Sequence, residues 1–214
     1  MEGKKNKLEK IITIILVVIF GVGIAGHSIN LLKDLMLLLT PFVLLISSLL
    51  VLLPVIKNKN KKLIYWLCGI FILTFLLEVA GVKTGIVFGE YFYREALGLK
   101  ILEVPVIIGV NWVLVIGGAI KLSEKFSDKI YLKILITGLL AVLFDYWLEP
   151  VAVKLNYWNW IGGDIPFQNY AAWFIIALIL AGIYFLARVK IESKLFERYY
   201  LIQLSFFFLL NLTL

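Results

Sequence analysis

The feature that most constrains this chain is a series of long, almost uninterrupted apolar runs separated by lysine clusters or short polar turns. A helix that crosses a bilayer needs about 20 mainly apolar residues. Seven stretches meet that need, at roughly 11–32, 35–56, 63–82, 104–122, 131–152, 169–189 and 197–214. The runs are continuous, unlike the alternating segments of about ten residues that build an outer-membrane barrel. Hydrophobic residues make up 62% of the 214 residues and charged ones 16%. No small soluble globule hides that excess, because too much surface stays outside any core. The expected fold is an all-α, polytopic transmembrane helix bundle of about seven spans, with residues 1–214 forming one integral membrane domain. A soluble enzyme, a disordered tail and a secreted disulfide scaffold are excluded. Cys68 is the only cysteine and His27 the only histidine, so neither an internal disulfide nor a Cys-rich or multi-histidine metal site can form. No metal and no cofactor is expected.

The basic residues set the orientation. Lys4, Lys5, Lys7 and Lys10 precede the first span, and Lys57, Lys59, Lys61 and Lys62 lie between the second and third. Lys121, Lys125, Lys129 and Lys133 flank the fourth turn, and Arg188, Lys190, Lys194 and Arg198 the sixth. These are 16 of the 21 Lys and Arg residues; Lys33, Lys83, Arg94, Lys100 and Lys154 fall on the other side. The positive-inside rule then puts the N-terminus in the cytoplasm, in a multi-pass protein of the cell membrane. The net charge of +7 is topogenic, with anionic membrane lipids as its partner rather than nucleic acid. The lysine-rich start also resembles a signal peptide. Its apolar run is long for that purpose and continues through His27 and Asn30, which favours an uncleaved helix.

Two motifs are set aside. Gly21, Gly23 and Gly26 spell G-x-G-x-x-G, but a dinucleotide loop needs a preceding strand and a helix start in water. Inside an apolar span, close helix packing is the better reading. A retinal protein would need a Schiff-base lysine in the seventh span, and none lies between Tyr199 and Leu214.

Ionisable groups within a bilayer cost at least about 2.5–3.5 kcal/mol each at mid-depth, so they mark function or tight pairing. Here they are Glu78, Asp145 and Glu149, with His27, Asn30 and Asn111 as polar company. Helical rise places Glu78, Asp145, Asn111 and His27 about 6–10 Å below the outer ends of their spans, all in the outer half. Asp145 and Glu149 are four apart and share one helix face, with Pro150 directly after them. Two carboxylates this close in a low dielectric do not both ionise cheaply, so one is expected to keep its proton and serve as a general acid. The structural alternative is a pair tied to Lys154 or to tryptophan N–H groups that locks helix packing. Two outer loops, 83–103 and 153–168, are aromatic and punctuated by glycine. Tyr91, Tyr93, Trp158 and Trp160 fit an interfacial belt or a substrate lining equally well. Trp112, and Asn169 with Trp173, point to the same region. Trp66 and Trp147 read as packing or belt residues.

Carboxylates, amides, phenols and indoles facing outward suit a lipid-soluble substrate, acid catalysis and water. Protonating an isoprenoid double bond gives a tertiary carbocation, which aromatic faces stabilise by about 2 kcal/mol or more when desolvated. Water adds to give a tertiary alcohol, or a neighbouring double bond adds to give a ring. The ordered set Glu78…Gly81…Thr84-Gly85…Phe88-Gly89…Tyr91…Tyr93…Leu97-Gly98, then Val104-Pro105…Trp112, resembles the membrane proteins of carotenoid biosynthesis that include carotenoid 1,2-hydratase and the archaeal bisanhydrobacterioruberin hydratase. Asp145…Glu149-Pro150, Tyr157-Trp158…Trp160, Pro166, Asn169-Tyr170 and Trp173 agree, so the resemblance spans roughly residues 70–185. It implies water addition across the terminal double bond of an acyclic carotenoid, with another polyprenyl lipid as the alternative substrate.

Residue roles follow from the chemistry. Asp145 or Glu149 is the expected proton donor, and Glu78 and Asn111 orient water or stabilise the cation. Tyr91, Tyr93, Trp112, Trp158, Trp160, Asn169 and Trp173 line the substrate channel. An end-group cyclase and a non-enzymatic carrier or binder of an isoprenoid lipid are the competing readings.

Overall fold

A computed structural model describes residues 2–57 and 60–214; Lys59, counted above among the orienting lysines, lies outside them. Among the described residues there are seven α-helices: α1 (Glu2–Ser28), α2 (Lys33–Lys57), α3 (Lys61–Thr84), α4 (Val106–Phe126), α5 (Ile130–Lys154), α6 (Phe167–Leu186) and α7 (Leu195–Thr213). The chain is the all-α polytopic bundle that its apolar runs predict. Six of the helices are long and apolar enough to cross a membrane. The other, α7, has Glu197 and Arg198 near its start and carries Gln203 and Asn211 further along, which lowers its hydropathy. Val18, Phe42, Leu76 and Ile179 are among the large apolar side chains left exposed, as lipid-facing surface requires.

The helices alternate in direction, so contacts sort into two ends. At one end the buried Glu9 accepts from the Ser193 hydroxyl at 2.8 Å, and Lys125 Nζ lies 2.9 Å from Glu197. At the other the Ser28 hydroxyl donates to Thr213 at 3.0 Å. Helix α4 is central, with 83% of its span buried. It has glycine where α7 crosses it: a Cβ on Gly118 would sit 2.5 Å from Tyr200 Cβ. This is the small-residue packing that membrane helices use for close approach. The glycines of α1 act likewise, since a Cβ on Gly23 would meet the Phe206 ring at 3.1 Å and Gly26 faces Met36, while Gly21 meets nothing.

Sequence and structure differ at the first span. Helix α1 starts at Glu2, because its lysine-rich first turns continue the helix, and it ends at Ser28. A 3-10 turn, Asn30–Leu32, then leads into α2 and leaves Asn30 exposed, so Asn30 does not join His27 inside.

The two aromatic loops are ordered by short strands. Strands β1 (Tyr91–Tyr93) and β4 (Trp158–Trp160) pair antiparallel, and β2 (Lys100–Ile101) pairs with β3 (Val104–Pro105). Gly85 caps α3 at φ 66°, a left-handed conformation that glycine adopts without strain, and starts the turn toward β1.

Candidate active site

The pairing of β1 with β4 aligns Tyr91 with Trp160, Phe92 with Asn159 and Tyr93 with Trp158. Side chains alternate across a strand. Tyr91, Tyr93, Trp158 and Trp160 therefore share the buried face, and Phe92 and Asn159 point outward, where Asn159 accepts from Arg94 Nε at 2.8 Å. The four rings roof the ends of α3 and α5. Both tyrosine hydroxyls donate to Glu78 Oε2, that of Tyr93 at 2.7 Å. Both indole N–H groups donate to Glu149 Oε2, Trp158 at 3.0 Å and Trp160 at 2.8 Å. Burial, reinforced by the Glu78 carboxylate, pushes both phenols well above the usual tyrosine range, so they remain donors. The pairing also depends on Gly81, one turn beyond Glu78. A Cβ there would lie 2.7 Å from Phe88 Cδ2 and 3.1 Å from Tyr91 Oη.

Asp145 sits one turn before Glu149 and 1% exposed. Asn169, in the first turn of α6, bridges the two: its Nδ2 donates to Asp145 Oδ2 at 2.5 Å and lies 3.3 Å from Glu149 Oε1. The partners of the carboxylates are thus phenols, indoles and one amide. Lys154, the cation considered from the sequence, is not among them.

Glu78, Asp145, Glu149, Asn111, Asn169 and the rings of Phe88, Tyr91, Tyr93, Trp112, Trp158, Trp160 and Trp173 wall one chamber of about 20 Å³. That volume holds about one water. Trp112 and Trp173 stack at 3.4 Å between centroids, and Phe88 stacks on the other side of Trp173 at 5.0 Å. Every site residue named from the sequence therefore meets at this chamber. The chamber adjoins an apolar cavity of about 290 Å³ between α1, α2 and α7, and Ile108, Asn111, Leu148 and Trp158 wall both.

Sequence reasoning gave no site role to Phe88, Tyr199 or Gln203. Asn111 Oδ1 accepts from Gln203 Nε2 at 2.8 Å and from the Tyr199 hydroxyl at 3.4 Å, so α7 holds Asn111 in place. The intramembrane amide of Gln203 was the available signal.

Fold and site together define a polytopic membrane protein whose carboxylates converge in an aromatic chamber beside an apolar, ligand-sized cavity. The chain belongs to the carotenoid biosynthesis protein family, whose model matches residues 39–214. No curated protein and no solved structure matches it significantly.

Proposed function

We propose that this protein is an intramembrane hydratase of the cell membrane, N-terminus cytoplasmic, that adds water to the terminal double bond of an acyclic carotenoid or related isoprenoid by acid catalysis. One observation carries the reading: three carboxylates from α3 and α5 share a chamber with room for one water, walled by aromatic rings and set against an apolar cavity.

The donor pattern divides the roles. Among the described residues, Glu149 receives three donors, Glu78 two and Asp145 only the amide of Asn169. Donors stabilise a carboxylate, so Asp145 is the group its surroundings least favour as an anion. Asp145 holds the proton and gives it to the less substituted alkene carbon. The π electrons form the new C–H bond, and the neighbouring carbon becomes a tertiary cation. The faces of Trp112, Trp158 and Trp160 stabilise that charge. A water oriented by Asn111 bonds to the cation and loses its proton to Glu149, and the proton returns to Asp145 across the one-turn gap that Asn169 bridges. Glu78 adds negative potential beside the cation. The net change is one water added, with no cofactor.

The test supplies an acyclic carotenoid to membranes containing the protein in oxygen-18 water. Labelled tertiary alcohol is expected, and Asp145→Asn should lower its formation about 10²–10⁴-fold, the range for losing a positioned general acid. A product of unchanged mass would instead identify a cyclase. A wild type that forms no product, with phenotype unaltered in Asp145→Asn, would identify a carrier. The one-water volume of the chamber favours hydration over ring closure.

A further inference from the structure

Two polar atoms at the apolar cavity have no part in this chemistry. His27, on α1, is 5% exposed, and its Nδ1 lies 2.7 Å from the Gly23 carbonyl one turn earlier. A carbonyl only accepts, so Nδ1 carries the hydrogen, and the neutral ring presents Nε2 as a lone pair. Gln203, on α7, is 1% exposed and donates its Nε2 to Asn111 Oδ1. The Tyr199 hydroxyl donates to the same oxygen, so Asn111 Oδ1 receives two hydrogens in this arrangement. Oε1 of Gln203 is left over. Among the described residues neither His27 Nε2 nor Gln203 Oε1 has a hydrogen-bond partner, and both side chains line the 290 Å³ cavity. Buried polar atoms are nearly always paired, so two orphans on one wall need an account.

Both orphans are acceptors, and the complementary group is therefore a donor. Ketones, quinones and ethers offer only more lone pairs. An ammonium group is a donor, but no carboxylate lines this cavity among the described residues. A neutral hydroxyl on a hydrocarbon chain fits both the acceptors and the apolar wall. The two acceptors stand at different depths. Helices α1 and α7 run parallel, with Thr13 bonded to Arg198 and Ser28 to Thr213. In that register His27 lies about nine residues, or about 13 Å, further along than Gln203. Gln203 is the nearer to the carboxylates, because its amide is bonded to Asn111 in the shared wall.

We infer that the cavity selects an isoprenoid alcohol, whose O–H is received by Gln203 Oε1 when the hydroxyl lies close to the reacting alkene and by His27 Nε2 when it lies further along the chain. The inference rests on the reading above, with the reacting alkene placed where this cavity meets the carboxylate chamber. His27 lies outside the residues 39–214 that match the family, so this part of the selectivity belongs to α1.

The test uses the full-length protein in lipid nanodiscs and three pairs of probes: geraniol, farnesol and geranylgeraniol, each with its methyl ether. Binding is read from tryptophan emission, since Trp158 lines the cavity. At least one alcohol should bind about five- to tenfold tighter than its ether, the effect of one hydrogen bond to a buried acceptor. His27→Phe should abolish the preference for the longer alcohol and Gln203→Met that for the shorter, with ether affinities within about twofold of wild type. Equal affinity within every pair, no binding of any probe, or preferences intact in both variants overturns the inference. Should either variant fail to fold, the wild-type comparison decides alone. Alcohol preference without oxygen-18 in any product would sink the hydratase reading and leave this one standing. Labelled product without alcohol preference would do the reverse.

Discussion

Trp160→Phe isolates one hydrogen bond of the site. The Trp160 indole donates to Glu149 Oε2 at 2.8 Å, and its ring tilts against Tyr91 with centroids 4.9 Å apart. Phenylalanine keeps a ring there and removes the N–H. A hydrogen bond to a charged group is worth about 1.5–3 kcal/mol in soluble proteins. Measured side-chain pairs within membranes average about 0.6 kcal/mol and reach about 1.7. Glu149 is 3% exposed and loses one of two matched indoles, so a value near the top of the membrane range, about 1.5 kcal/mol, is expected. The lost ring area adds a packing cost that does not involve Glu149. A double-mutant cycle with Glu149→Leu, which leaves no acceptor, removes it. Stability of wild type, both single variants and the double variant is measured by detergent-induced unfolding in bicelles. The coupling energy should be about 1–1.5 kcal/mol, and turnover of Trp160→Phe should fall about tenfold. A coupling below about 0.3 kcal/mol, with the single costs simply additive, would show that the indoles do not hold the carboxylate, and the assignment of Glu149 as the stabilised anion would be lost.

Further outcomes follow from other contacts. Tyr91→Phe and Tyr93→Phe each remove one donor from Glu78, so either alone should lower turnover only about threefold, while the double variant leaves Glu78 without its phenols and should lose about tenfold or more in the same product assay. Gly81→Ala places a methyl 2.7 Å from Phe88 Cδ2, and the overpacking should cost about 1–3 kcal/mol in thermal unfolding. Burial raises the Tyr157 phenol to about 12, against an ordinary value of 10.0. Its contribution to stability is then full below pH 10 and is lost as pH rises through about 12, so Tyr157→Phe should flatten the alkaline part of the stability profile.

The helices were legible because a bilayer makes apolar length unmistakable, and the acids because a charge in that setting is expensive. The i, i+4 spacing of Asp145 and Glu149 gave their common face, and helical rise gave the matching depth of Glu78 and Asn111. The contact between Asn169 and the acids was only half legible, because its place at the start of α6 indicates depth but not which face of α5 it meets. The aromatic loops were harder still. Y-F-Y and W-N-W are three residues each, too short for a strand signal, although their alternation was the clue. The share of α7 was not legible because nothing local ties Tyr199 and Gln203 to Asn111, which they brace from a helix 88 and 92 residues away in sequence. The apolar cavity lay beyond reach, since it forms between α1, α2 and α7, whose proximity no local pattern encodes.

The three-residue ribbon joining the two loops makes their lengths a functional quantity. Inserting or deleting one residue in a loop would shift its strand by one step: in the first loop Phe92 would turn inward and Tyr91 and Tyr93 outward, in the second Asn159 inward and Trp158 and Trp160 outward. Glu78 in the first case, or Glu149 in the second, would lose both of its ring donors at once, although every helix stayed intact. Changes of loop length should therefore be tolerated between α6 and α7 and not within 85–105 or 155–166.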